Sequence, residues 1–249
     1  HGCAALLWRM FGYWNWDWAE DRLKIESLNP VNNVIKTETP ARYGVSMRAR
    51  YYYFNILEEL DSAGEWYFDR NSAFLYLLPP KIMNDKDLIQ ISISADPVVR
   101  MNNISNVVFD GFKIELSRFH GLEIRNSKNL SIINCWFENL GGDAIHITNS
   151  EMFLVANNEI RHVGGGGVIA LKNSKIHNNH IHHFGQVWET SHPGIRATGA
   201  CEISNNLIHN SNHLALGTGG SDNKVRYNEI YSVNEDTDDA GSIYDADNS

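Results

Sequence analysis

Between about Asn106 and Tyr244 the sequence returns six times to one short apolar pattern, and a chain with that habit has few ways to fold. With Ile114, Phe137, Ile160, Ile181, Ile208 and Ile230 as anchors, the spacings are 23, 23, 21, 27 and 22 residues. Two residues before each anchor stand Phe112, Cys135, Asn158, Asn179, Asn206 and Asn228. Five before it stand Phe109, Ile132, Val155, Ile176, Ile203 and Val225, a wholly apolar column. A repeat of this length holds two or three short strands and turns, too little to bury its own hydrophobic face, so successive repeats have to stack. The Asn158, Asn179, Asn206, Asn228 column then predicts an internal ladder, each amide bonded to the one a coil away.

Leucine-rich repeats share the period but need a leucine signature that is absent, and helical repeats need longer units with a 3.6-residue period. Here apolar residues alternate: 120–124, 144–147, 168–171, 194–197 and 213–216 each read as a strand with every second side chain inward. The expectation is an all-β chain, a single-stranded parallel β-helix (solenoid) over residues 89–249. Residues 1–88 lack the period and are crowded with Trp8, Tyr13, Trp14, Trp16, Trp18 and the Tyr51–Phe54 run. They predict an aromatic-rich, mainly β N-terminal elaboration, with a hairpin turning at Asp69–Ser72, a short helix over Phe54–Asp61 and a strand leading on from Ile89. Core packing is the commoner role for its aromatics, stacking on sugar the alternative.

The formal charge of −9 argues against nucleic acid or an anionic membrane as partner, since both call for a basic surface. No apolar run has the length of a membrane span, and the first residues form no secretory signal. The chain begins without Met and stops inside a repeat, so a piece of a longer protein, truncated in its β-helix, is expected. Cys3, Cys135 and Cys201 are an odd number without metal-ligand spacing, which predicts free buried thiols.

Strand alternation also says which side chains leave the core. It puts Glu123, His146, Ala170, Arg196 and Ala215 in one outward column, and Arg125, Thr148, Lys172, Thr198 and Gly217 in the next. His120, Asp143, His192, His213, Glu235, Asp236, Asp238 and Asp239 crowd the same edge, so one sheet should carry a charged, histidine-bearing groove. Distance then selects partners. At ~4.8 Å per coil, Asp143 and Asp238 lie roughly 19 Å apart, too far for a glycosidase pair, which needs ~5–5.5 Å or ~6.5–9.5 Å. Asp238, Asp239 and Glu235, with His213 and Arg196, form the first candidate site, because crowded carboxylates push one pKa up and leave another ionised. Its rival is Lys172 beside Arg196, a base next to a cation that neutralises a uronate, which suits β-elimination. Residues 236–241 partly match the start of a calcium loop, yet Ala240 stands at a ligand position and no glutamate closes it. No cofactor or metal is expected, with calcium as the weaker alternative.

Gly12-Tyr-Trp-Asn-Trp-Asp-Trp18, Gly64-Glu-Trp-Tyr-Phe-Asp69, the Asn-Asn-x-Ile-His repeats and the Tyr227–Tyr244 segment resemble bacterial right-handed parallel β-helix proteins of the carbohydrate-active kind. The likeness is nearest to the group that includes the family 141 glycoside hydrolases. It implies right-handed winding, a carbohydrate substrate, an extracellular or periplasmic setting and glycan cleavage by acid catalysis, with fucosidase and xylanase activities known for that family. Glu235, Asp238 and Asp239 are the matching motif positions. On this reading Asp238, Asp239, Glu235 and His213 are catalytic, and Arg196, His146, Lys172, His192, Asp143 and Tyr244 hold substrate. A lyase and a non-catalytic glycan-binding β-helix stay open beside the hydrolase, since one scaffold hosts many activities.

Overall fold

The computed structural model of the protein describes residues 9–245, which leaves Trp8 and Cys3 outside the described residues. The chain divides between Ile89 and Gln90 into two compact units.

The first unit is an antiparallel sheet in the order Val34–Thr37, Glu20–Asn29, Arg9–Tyr13, Arg50–Phe54, followed by the hairpin Trp66–Asp69/Phe74–Leu77. Met10, Trp14, Leu23, Ile25 and Ala41 form its buried cluster. Gly12 is required by close approach: a Cβ there would lie 2.8 Å from Tyr51 Cβ and 2.9 Å from the Arg50 carbonyl oxygen. Trp14 stacks on Tyr51 with ring centroids 5.4 Å apart, a core role, whereas Trp16 and Trp66 are exposed. The hairpin turns where the sequence predicts, with the Asp69 carboxylate accepting from Asn71 N at 2.9 Å and Ser72 Oγ at 2.6 Å. The helix expected over 54–61 shrinks to one 3₁₀ turn, Leu57–Glu59. Among the described residues no helix is long and apolar enough to cross a membrane.

The second unit is a parallel β-helix with three sheets. Sheet 1 holds Val99–Asn102, Leu122–Arg125, Ile145–Thr148, Val168–Leu171, Ile195–Ala197, Leu216–Thr218 and Ile243–Asp245. Sheet 2 runs from Ser105–Asp110 to Lys224–Arg226, and sheet 3 from Lys113–Ser117 to Glu229–Val233, with six strands each. Every neighbouring pair is parallel and one coil apart, so the anchor column Ile114, Phe137, Ile160, Ile181, Ile208, Ile230 is in register throughout. No strand starts at Ile89; the first of this unit is Val99–Asn102, and 90–98 is held by isolated bonds such as Arg118 N to the Ser94 carbonyl at 2.9 Å.

The predicted asparagine ladder is present. Asn158 Nδ2 donates to Asn179 Oδ1 at 2.9 Å, Asn179 Nδ2 to Asn206 Oδ1 at 2.9 Å, and Asn206 Nδ2 to Asn228 Oδ1 at 2.9 Å. Each Oδ1 also accepts the backbone N–H of the residue one coil back, and each Nδ2 reaches a carbonyl such as Ile132 O or Val155 O. Backbone groups at a corner that sheet bonds cannot reach are thus satisfied inside the core. Cys135 stands in this column, its N–H donating to Asn158 Oδ1, and both Cys135 and Cys201 are free and buried.

Two strands of sheet 1 depart from simple alternation: Ala170 stays partly exposed but loses its expected partner, and Ala215 does not face out. In Val168–Leu171 the register slips between Val168 and Leu171, with Ala170 at φ 72°. That extra residue is a bulge, and it puts Ile169, not Ala170, beside His146. In the next-but-one coil Ile195 pairs with Leu216 and Arg196 with Gly217, so the strand sits two residues later than expected and Ala215 is buried in the turn. The outward column is therefore Glu123, His146, Ile169, Arg196, Gly217 and Tyr244. Glu123 faces outward yet is buried, because Arg100 at 2.7 Å and Arg125 at 2.5 Å close over its carboxylate.

Replacing Asn179 by Ala strands the Asn158 N–H and amide in the core, and chemical denaturation should show a loss of about 2–4 kcal/mol. Asn157→Gly on the exposed outer ladder, where φ is 57° and a glycine is equally at ease, should stay within about 0.5 kcal/mol.

Candidate active site

Each coil passes from sheet 3 to sheet 1 through a tight turn, and one such turn carries Asp143. The glycine run 164–167 exists to let the next coil pass over it: a Cβ on Gly164 would lie 2.4 Å from the Gly141 carbonyl, and one on Gly165 2.4 Å from Asp143 Oδ1. With glycine there, the Asp143 carboxylate tucks beneath and Gly166 N donates to its Oδ1 at 2.7 Å. The longer turn of the following coil, 185–194, folds back through Val187 N and Trp188 N onto the Gly164 carbonyl at 2.9 and 2.7 Å. That return delivers His192, whose Nδ1 lies 3.0 Å from Asp143 Oδ1. From the start of its own strand, His146 sets Nδ1 2.8 Å from Asp143 Oδ2.

Asp143 is 1% exposed, and burial alone would raise its pKa. The bonds from His146, His192 and Gly166 win, and hold it well below the usual carboxylate range. An ionised carboxylate only accepts, so both imidazoles donate from Nδ1 and keep the lone pair on Nε2. His120 completes the group: its Nδ1 accepts from Asp143 N at 2.9 Å, and its ring stacks on His146 at 4.4 Å and 11°. Burial lowers the His120 pKa, against the pull of the Asp143 charge, which favours a neutral ring.

His213 is 7% exposed, and its Nδ1 has no hydrogen-bond partner among the described residues. Burial first, then the charge of Arg196 and the proximity of His192, push its pKa down to about 4. Arg196 is tied by Nη2 to the Ser191 carbonyl at 2.8 Å, on the same returning turn as His192. His146, His192, Asp143, His213 and Arg196 are therefore brought to one edge, as the sequence suggests.

Beside them opens a cleft of about 860 Å³ over the outer face of sheet 1 and its exit toward sheet 2. His146, Thr148, Lys128, Lys172 and Thr198 line it. Lys172 lies one position beyond Leu171, which pairs with Ala197 beside Arg196, so the two cations do occupy neighbouring outward columns.

Asp238, Asp239 and Glu235 lie one coil beyond His213, whose carbonyl accepts from Asn234 N at 3.1 Å. They lie exposed on the turn 234–242, which is anchored by the buried Thr237 donating to the Asn212 carbonyl at 2.7 Å. Among the described residues no hydrogen bond or ion pair joins them to His213 or Arg196, and the Glu235 charge is felt by His183 on sheet 3. Tyr244 is half exposed in the outward column, opposite Gly217. Among the described residues, the groups able to hold a metal are His120/Asp143/His146 and Glu159/His180/His182. The second was missed by the sequence reading, although His180 and His182 flank the inward anchor Ile181, and the same alternation applied to sheet 3 turns both outward.

A family model described as the right handed beta helix region matches residues 147–248. A solved structure titled glycoside hydrolase aligns with a TM-score of 0.54 at 13% identity, over 98% of this chain and 68% of that one. The A-module of a mannuronan C-5 epimerase from Azotobacter vinelandii aligns with a TM-score of 0.33 at 14% identity, over 57% and 55% of the two chains. No curated protein matches. At these identities the likeness concerns the fold, a right-handed parallel β-helix.

The depressed His213 pKa has a sign. The unfolded ring, near 6.5, binds a proton that the folded ring refuses until about 4, so stability falls as pH drops through that window and levels off below it. The Asp143 contribution, with a depressed carboxylate pKa, is present above about 3.8 and lost only below it, outside the His213 window. Thermal melts between pH 7 and 4 should show a Tm decline, to which the lowered His120 and His183 also contribute, and His213→Leu should make it shallower.

Proposed function

We propose that the protein processes a carbohydrate bound in the cleft over sheet 1, with proton transfer carried by His146 and oriented by Asp143. The observation that carries this is the buried, ionised Asp143 bonded to His146 Nδ1 at 2.8 Å, at the mouth of an open polar cleft. An imidazole so held offers Nε2 as a base, while the carboxylate fixes its tautomer and stabilises the imidazolium formed. Asp143 itself does not reach substrate; it is a positioning residue. The scaffold shared with the glycoside hydrolase supports a glycan as the ligand that lies across stacked coils.

Within that class the side chains favour an acidic sugar. Lys172 lines the same cleft, and Arg196 projects from the adjoining column with its guanidinium secured by Ser191. Two cations beside the imidazole suit removal of the proton α to a uronate carboxylate by His146 Nε2: the cations spread the charge of the resulting anion, its electron pair forms the C4=C5 double bond as the C4–O bond breaks, and the departing oxygen takes a proton from the imidazolium or from water. Elimination is favoured over hydrolysis because Asp143 and Glu123, the buried carboxyls at this face, are both held below their usual pKa, opposite to what a carboxylic general acid needs.

Hydrolysis by Asp238, Asp239 and Glu235 is the second reading, favoured by the crowding of these carboxylates on one exposed turn after the His213 coil. Product analysis separates the two: elimination leaves an unsaturated, ultraviolet-absorbing sugar end, and hydrolysis leaves only new reducing ends. On a polyuronate, His146→Gln and Asp143→Asn should each cut kcat by about 10²–10⁴-fold, and Lys172→Met should raise KM. Asp239→Asn should leave turnover unchanged. Loss of activity in Asp239→Asn with His146→Gln unaffected would move the chemistry to the acidic turn.

A further inference from the structure

The outer face of sheet 3 carries a second constellation that the proposed reaction does not use. Glu159 lies on one coil, and His180 and His182 lie on the next, paired with it in register. Glu159 Oε2 is 2.9 Å from His180 Nδ1, and Oε1 is 2.8 Å from His182 Nε2. The remaining ring nitrogens all have neighbours. His180 Nε2 meets His209 Nε2 at 2.8 Å, His209 Nδ1 meets Asn210 Oδ1 at 2.5 Å, and His182 Nδ1 meets His183 Nδ1 at 2.7 Å.

Proton counting along these contacts is informative. Asn210 Oδ1 accepts only, so His209 donates from Nδ1 and turns a lone pair at Nε2 toward His180. His180 must therefore donate from Nε2, which in a neutral ring leaves Nδ1 bare and facing the Glu159 carboxylate. Lone pair and carboxylate then meet at hydrogen-bond distance with no proton between them, unless His180 carries a full positive charge. A metal ion beside Glu159, His180 Nδ1 and His182 Nε2 removes the conflict with every imidazole neutral. Each ligating ring then donates its other N–H, His180 to His209 and His182 to His183, which is how ligating histidines are commonly oriented.

We infer that Glu159, His180 and His182 bind a divalent transition-metal ion of the zinc class, with His209 and His183 orienting the two imidazoles. One carboxylate and two imidazoles suit such an ion better than calcium, which prefers an all-oxygen shell. Neighbouring charge does not compete: Arg161, next to His182 in the outward column, is held by Glu138 at 2.7 Å and lies over Trp136. The ion would clasp adjacent coils from outside, as the asparagine ladder does from within.

The test is zinc titration of the chelator-stripped full chain by calorimetry, paired with Co²⁺ absorption spectra and thermal melts. Expected are saturable binding at this site, a higher Tm with zinc that chelator reverses, and about 100-fold or more weaker binding in His180→Ala/His182→Ala. His209→Phe should weaken binding about 10-fold, since it removes only an orienting partner. Because His120, Asp143 and His146 also converge, the double variant decides location: zinc affinity and Co²⁺ spectrum unchanged in it would overturn the assignment, as would no binding in the wild type. Glu159→Gln, which keeps shape and hydrogen bonding, guards against a folding defect and should also lose zinc.

Discussion

Stacking in register is the constraint on which the second unit rests. A parallel strand cannot satisfy its backbone alone, and in this unit each finds its partners one coil away. Sheets solve the problem along the flats; the buried amides of Asn158, Asn179 and Asn206, with the half-buried Asn228 at the end of the row, solve it at a corner. Residues more than twenty positions apart are thereby placed next to one another with little freedom. The meeting of Asp143 and His146, from one coil, with His192, from the turn two coils on, follows from that geometry.

The same constraint explains the backbone's odd conformations. Asn134, Asn157 and Asn178 repeat a left-handed φ of 54°, 57° and 56° on the exposed side of one bend, and their side chains bond coil to coil. Asparagine tolerates that region better than other residues with a Cβ. Inner and outer asparagines thus look alike in sequence and do different work: one set replaces missing sheet bonds, the other makes a bend affordable.

Much of this was legible in the chain. Spacing of Ile114, Phe137, Ile160 and their successors specified the coils, and the apolar columns specified which side faces in. What failed did so at two strands of sheet 1. The bulge at Ile169–Ala170 inserts one residue, which brings Ile169 beside His146 while Ala170 still lines the cleft, and the strand after Ser211 begins at Leu216, five residues on as in neighbouring coils, so Ala215 stays buried in the turn. The candidate site was legible as an edge, through His146, His192, Arg196 and Lys172, but its centre was not. Asp143 reads as a polar turn residue, and only the Gly165 gap that admits its carboxylate makes it the hub. Nor could spacing show that Asp238 and Asp239 project on a turn of their own. The histidines of sheet 3 turn outward by the same alternation, but nothing in their own spacing shows that Glu159, one coil back, meets both rings.

Turn length is where this architecture leaves room for change. The crossing from sheet 3 to sheet 1 takes a few residues at Gly141–Ala144 and many more between Phe184 and Ile195, yet the strands on either side keep their register. Insertions there are absorbed locally, because nothing downstream has to move when a loop grows outward. Divergence can therefore reshape the rim of the cleft one coil at a time, by lengthening a bend that carries a new imidazole or guanidinium, while the wound scaffold beneath stays the same.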